Sequence, residues 1–86
     1  MENLFAVTDP RDDARGGDLN FTIQDGTATI PGRISSAAMR ILADDSGYSP
    51  TEVFTANQSK IRSAAYKSRR FNPRLAMVLL SVNDFS

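Results

Sequence analysis

Between Leu19 and Ile34 the chain reads LNFTIQDGTATIPGRI, an alternation of apolar and polar residues around Asp25-Gly26. Asp-Gly accepts the positive φ of a two-residue type I′ turn, and such a turn fixes the register of the strands it joins. With Asp25 and Gly26 in the turn, Gln24 faces Thr27, Ile23 faces Ala28, Thr22 faces Thr29, Phe21 faces Ile30 and Leu19 faces Gly32. One face then carries Leu19, Phe21, Ile23, Ala28 and Ile30; the other carries Thr22, Gln24, Thr27 and Thr29. A hairpin with one dry face needs a second layer to cover it. Pro31 falls opposite Asn20, where hydrogen bonds should be exchanged, so the ladder is expected to fray or bulge there.

Two helix starts follow. In ISSAAM, Ser35 is placed as an N-cap, with Ile34 and Met39 as a hydrophobic staple. That helix is expected to run through Ala38, Ile41 and Leu42 and to stop at Gly47. In YSPTEV, Ser49 caps, Pro50 takes the first helical position, Glu52 closes a capping box, and Tyr48 and Val53 form the staple. The second helix is expected to continue unbroken to Arg70 or Phe71, because Pro73 disfavours helical geometry at Asn72. At 100° per residue, Phe54, Ile61, Ala65 and Ser68 form its core stripe, flanked by Val53, Asn57, Ala64 and Phe71.

LAMVLLSV, residues 75–82, is apolar on both faces, as for a strand lying between neighbours. LFAV, within residues 1–8, supplies a further short strand. The expected fold is α+β: a small antiparallel sheet of hairpin, C-terminal strand and this N-terminal strand, with two helices packed on one face. The order is β-β-β-α-α-β, or β-β-α-α-β without the first strand. Residues 1–86 make one small domain, with 8–18 a flexible loop marked by Pro10 and Gly16-Gly17. If Val78 and Leu80 face the helices, Leu75, Met77 and Leu79 lie on the open side of the sheet as a candidate apolar contact. The opposite phase leaves Val78 and Leu80 there.

Cysteine and histidine are both absent. No thiolate nucleophile, imidazole base or Cys/His zinc site can therefore be assembled. No glycine pattern cradles a phosphate, and Asp44-Asp45 diverge by about 100° on a helix. The expectation is a protein without enzymatic activity, cofactor or metal. The four aspartates of residues 8–18 lack the alternate spacing of a calcium loop. The tripeptides at Asn20 and Asn57 that match the glycosylation pattern fall in a strand and a helix, and are discounted. The longest apolar run is six residues, far from the ~18 of a membrane span. No basic residue precedes the N-terminal apolar patch, so a cytoplasmic, non-membrane protein is expected.

The stretch KIRSAAYKSRRFNPR, residues 60–74, holds six of the ten basic residues. Arg62, Tyr66 and Arg70 are spaced i, i+4, i+8, with Arg69 and Arg74 nearby. A ring between guanidinium groups can stack on a base while the arginines meet phosphates. The same residues equally form a solvated face that favours the negative end of the helix dipole. Zero net charge favours the solvated face, since nonspecific nucleic-acid affinity comes from counterion release. A helix-turn-helix is disfavoured, because the basic residues lie at the wrong end of the second helix.

The chain resembles a family of short bacterial proteins known as domain of unknown function 1488. The resemblance is carried by LNF before the hairpin, IPGRIS into the first helix, EVFTANQSKIRSAA in the second, and VNDF. Phe21, Ile34, Ser35, Phe54, Asn57, Ile61 and Ala65 match, and Gly32 stands where relatives often carry a small buried Cys. The resemblance implies helices packed on a sheet and supplies no catalytic residues. The expected function is that of a protein-binding or regulatory module, with a second copy of the chain among its candidate partners. The alternative is a nucleic-acid-binding module using Arg62, Tyr66, Arg69, Arg70 and Arg74.

Overall fold

The computed structural model describes residues 5–12, 17–44, 47 and 49–85. Four strands, β1 (Phe5–Asp12), β2 (Leu19–Asp25), β3 (Ala28–Ile34) and β4 (Val78–Leu80), form one sheet in the order β1-β2-β3-β4. Three helices, α1 (Ser36–Ala43), α2 (Pro50–Ala56) and α3 (Gln58–Phe71), lie between β3 and β4 in the chain, and a 3-10 turn (Val82–Asp84) follows. The fold is a small α+β domain with helices packed against a mixed sheet.

The hairpin pairs two residues away from the expected register. Asp25 faces Ala28, so Gly26-Thr27 form the turn, with Gly26 at φ 64 in the first central position, as in a type II′ turn. Because strand side chains alternate with period two, this slide leaves every side chain on its expected face. It also removes the difficulty at Pro31. Counting from the turn-closing pair Asp25–Ala28, hydrogen-bonded and non-hydrogen-bonded pairs alternate, and Thr22–Pro31 is of the second kind. The missing N–H costs β2–β3 nothing, and their ladder runs unbroken from Asp25–Ala28 to Leu19–Ile34.

The N-terminal strand is present and continues through Asp12, taking in the start of the segment expected to be a loop. Between Thr8 and Arg11 its register against β2 shifts by one residue. Asp9 sits in this bulge with φ 58, a conformation glycine usually supplies and aspartate tolerates better than most. The extra residue puts Arg11 opposite Asn20 on the open face.

Both N-caps form. Ser35 Oγ accepts from the Ala38 N–H at 3.2 Å. At α2 the Ser49 N–H donates to Glu52 Oε1 at 3.0 Å, and Ser49 Oγ accepts from the Glu52 N–H at 3.4 Å. Met39 and Val53 are buried as the staples require, while Tyr48 lies outside the described residues. α1 stops earlier than expected, at Ala43. Asp44 takes the left-handed conformation, φ 48, and its N–H returns to the Arg40 carbonyl.

The expected second helix is two helices. Asn57 leaves helical geometry (φ −115, ψ 20), and its side-chain amide donates to Val53 O at 2.9 Å and Leu42 O at 3.3 Å. One amide thus ties the last turn of α2 to the end of α1. α3 ends beside the hairpin turn, so the chain re-enters the sheet there and β4 runs parallel to β3: Gly32 with Val78, Ile34 with Leu80. The closing strand was expected to make the sheet antiparallel throughout; its pairing with β3 is parallel, and the sheet is mixed. β4 is also an edge strand of three residues, where an interior strand was expected.

The core lies between the sheet and the helices. Leu19, Phe21, Ile23, Ile34, Phe54, Ile61, Val78 and Leu80 are all essentially removed from water. Each such side chain contributes ~1.5–3 kcal/mol. Phe21 occupies the centre, its ring 5.4 Å from that of Phe54. It lies flat over Gly32, directly opposite on β3, where an added Cβ would come within 2.5–2.8 Å of three ring carbons. Gly32 is therefore a packing requirement of the Phe21 ring.

Candidate functional site

α3 is amphipathic, with Ile61, Ala64 and Ala65 buried. Its three arginines, Arg62, Arg69 and Arg70, are bonded within the fold. β1 is the outer strand, and its residues at non-hydrogen-bonded positions, Phe5 and Val7, turn their backbone groups away from β2. Gln58 Nε2 donates to Val7 O at 2.8 Å, and Arg62 Nε donates to Phe5 O at 2.9 Å. The spacing follows from geometry. Four helix residues rise ~6 Å and two strand residues span ~6.6 Å, so the two elements keep step.

The next turn continues along the same flank. The Tyr66 ring meets the Phe5 ring edge-on, 5.2 Å between centroids and 84° between planes. Arg62 also lies over the Phe5 ring, 5.8 Å from its centroid. Arg70 lies 5.7 Å over the Tyr66 ring and donates to the Tyr66 hydroxyl at 3.2 Å. Tyr66 is thus packed between Phe5 and Arg70, and is not an open platform for a base.

Arg69 is the most committed of the expected site residues, its side chain only 14% exposed. Its Nε pairs with Asp25 Oδ2 at 3.0 Å, and its Nη1 donates to Pro73 O at 2.8 Å and Leu75 O at 3.2 Å. One guanidinium therefore holds the hairpin turn, the end of α3 and the connection to β4 together. Arg74 is exposed, and its backbone N–H donates to Asn72 Oδ1.

The apolar candidates do not form the expected patch. Leu79 is 64% exposed, but Leu75 and Met77 are half-buried and lie before the strand. The open face of the sheet around β2 and β3 is polar: Arg33 Nε donates to Asn20 Oδ1 at 3.0 Å, and Thr29 Oγ1 to Gln24 Oε1 at 3.3 Å. The unexpected apolar feature is Phe71. The helical phase puts it on the core flank, yet it is 93% exposed, because α3 has passed the sheet by that point. Pro73, two residues on, marks the overhang in the sequence. Gln58 was also missed; its signal is the i, i+4 spacing from Arg62.

On the other flank of α3, Ser59, Lys60, Ser63, Ala64 and Lys67 line an open depression of about 350 Å³ with Asp84 and Phe85. The Asp84 carboxylate already accepts from the Ser81 N–H at 2.7 Å. The Glu52 carboxylate is held below its ordinary value by the Ser49 backbone N–H and then the Ser49 hydroxyl. Among the described residues no three His, Cys, Asp or Glu side chains gather as a metal site. Asp13 and Asp45 lie outside the described residues. Among the described residues no helix is long and apolar enough to cross a membrane.

Compared with known proteins, the chain matches no family model, no curated protein and no solved structure.

Proposed function

We propose that this protein is a non-enzymatic protein-binding module that docks through the end of α3. Phe71 carries the reading. A fully exposed phenylalanine flanked by Arg70 and Arg74 has the composition of an interface anchor: an aromatic ring to bury, with arginines at its rim. The alternative surface for nucleic acid loses support because Arg62, Tyr66 and Arg69 are engaged within the fold. A cytoplasmic location and kinship with the domain of unknown function 1488 family are part of the proposal. The kinship rests on core and capping residues and supplies no site.

Site-specific photo-crosslinking tests it. A photoreactive phenylalanine analogue at position 71 is expected to give discrete protein adducts in cells, and the same analogue at exposed Thr29, on the open face of the sheet, is not. Equal labelling from both positions would refute the docking role. Tight, salt-sensitive binding of the wild type to mixed oligonucleotides, lost in Arg70→Ala/Arg74→Ala, would favour the nucleic-acid module.

A further inference from the structure

Folding leaves an excess of acidic side chains at one end and of basic ones at the other, although Arg11 pairs with Asp9 and Arg33 with Asp18 at the first, and Asp25 with Arg69 at the second. Positions 1–52 hold nine acidic and four basic residues, and positions 53–86 hold one acidic and six basic. Asp9, Asp12 and Asp18 lie at the end of the sheet where β1 passes to β2. α1 starts there too, since the Ser36 N–H donates to Asp18 Oδ1 at 2.8 Å. The capped start of α2 joins them, because Pro50 lines one groove with Gly17 and Ser36. Lys67, Arg69, Arg70 and Arg74 lie toward the opposite end, where Arg69 meets Asp25 at the hairpin turn. A strand the length of β2 separates the ends by ~20 Å. That is about twice the Debye length at physiological ionic strength, so the ends act as separate patches.

Each end also carries half of an apolar contact. Phe71 projects from the basic end. At the acidic end, an open groove of about 260 Å³ is floored by Met39, Ala43, Pro50 and Val53, with Arg40 beside it. A cavity of roughly 150 Å³ is enough for a benzene ring. We infer that the Phe71 end of one copy seats in the groove between α1 and α2 of a second copy, head to tail. The inference rests on the docking reading above and names its partner. Arg40 meets the face of the incoming ring as a cation, while Arg70 and Arg74 approach Asp18, Asp44 and Glu52. The contact surfaces differ on the two copies, so the association can grow beyond two.

Sedimentation and light scattering over a micromolar concentration series, at low and high salt, test this. The wild type is expected to gain mass with concentration beyond two copies, and less so at high salt. Phe71→Asp removes the plug and Asp44→Arg reverses the charge beside the groove, next to Ala43; both positions are exposed, and thermal unfolding confirms that each variant folds. Each alone is expected to associate at least about tenfold more weakly. Their mixture is expected to regain a one-to-one complex, because Phe71→Asp keeps an intact groove and Asp44→Arg an intact plug. A wild type that stays monomeric, stops at two copies, or associates equally well as Phe71→Asp would overturn the inference. So would a mixture no better than its components. If the wild type is monomeric, adducts from position 71 to another protein preserve the docking reading, and their absence ends both.

Discussion

The two edges of the sheet, β1 and β4, are finished differently. β1 presents eight residues and is latched along its outer side by Gln58 and Arg62, which occupy the Val7 and Phe5 carbonyls. β4 presents three residues, and Leu79 projects from it into solvent. A long bare edge is a template for strand addition, and short length is itself a protection. The basic residues of α3 therefore have a local use: part of the positive charge that resembles a binding surface closes an edge.

The largest effect is expected where the strands inside both edges meet. Gly32→Ala puts a methyl group into the Phe21 ring, and should cost about 3 kcal/mol in urea unfolding. A cost below about 0.5 kcal/mol would mean that the ring moves freely and the core is looser than described. Next comes the latch. Gln58→Ala with Arg62→Ala should cost roughly 2 kcal/mol and increase light scattering in the refolded protein. Lost stability without added association would confine the latch to a packing role. Arg69→Ala, which frees the hairpin turn from the connection to β4, should cost roughly 1.5 kcal/mol, with only partial recovery in Arg69→Lys. On the unlatched edge, Leu79→Thr should change stability by no more than about 0.5 kcal/mol; a larger loss would show that β4 depends on its exposed side.

The smallest expected effect is a pH dependence. Glu52 has a folded pKa below its ordinary value of 4.5. Its contribution is therefore present above that value and lost as the pH falls through it toward the lower folded pKa. Glu52→Gln keeps the capping geometry and should remove this part of the acid dependence in melts between neutral and acid pH. An unchanged acid profile would show that the carboxylate charge does nothing at the cap.

The features readable from the residues are those determined within a few positions. Ser35 and Ser49 announce their caps because a cap is made of its own neighbours. The inward face of the hairpin survives a two-residue slip because only parity matters to it. Asn57 looks like an ordinary member of a helix, and its reason for breaking one, the Leu42 carbonyl, lies fifteen residues away. The direction of β4 depends on where α3 ends, and no residue of β4 encodes that. The candidate site divides in the same way. The line Arg62, Tyr66, Arg70 is periodic and legible, but Phe5 decides what Arg62 and Tyr66 do, and Asp25 what the neighbouring Arg69 does. Phe71 carries a helical phase that predicts contact, and only the end of the sheet makes it bare.

The bonds from α3 to β1 join residues 51 and 57 positions apart. Such contacts close large loops, so they form late and slow the search for the native state. On a ribosome, the hairpin emerges well before the helix that finishes its neighbour. Until Gln58 and Arg62 arrive, a nascent N-terminal segment has its backbone open to whatever is nearby, and chaperone demand should peak in that interval.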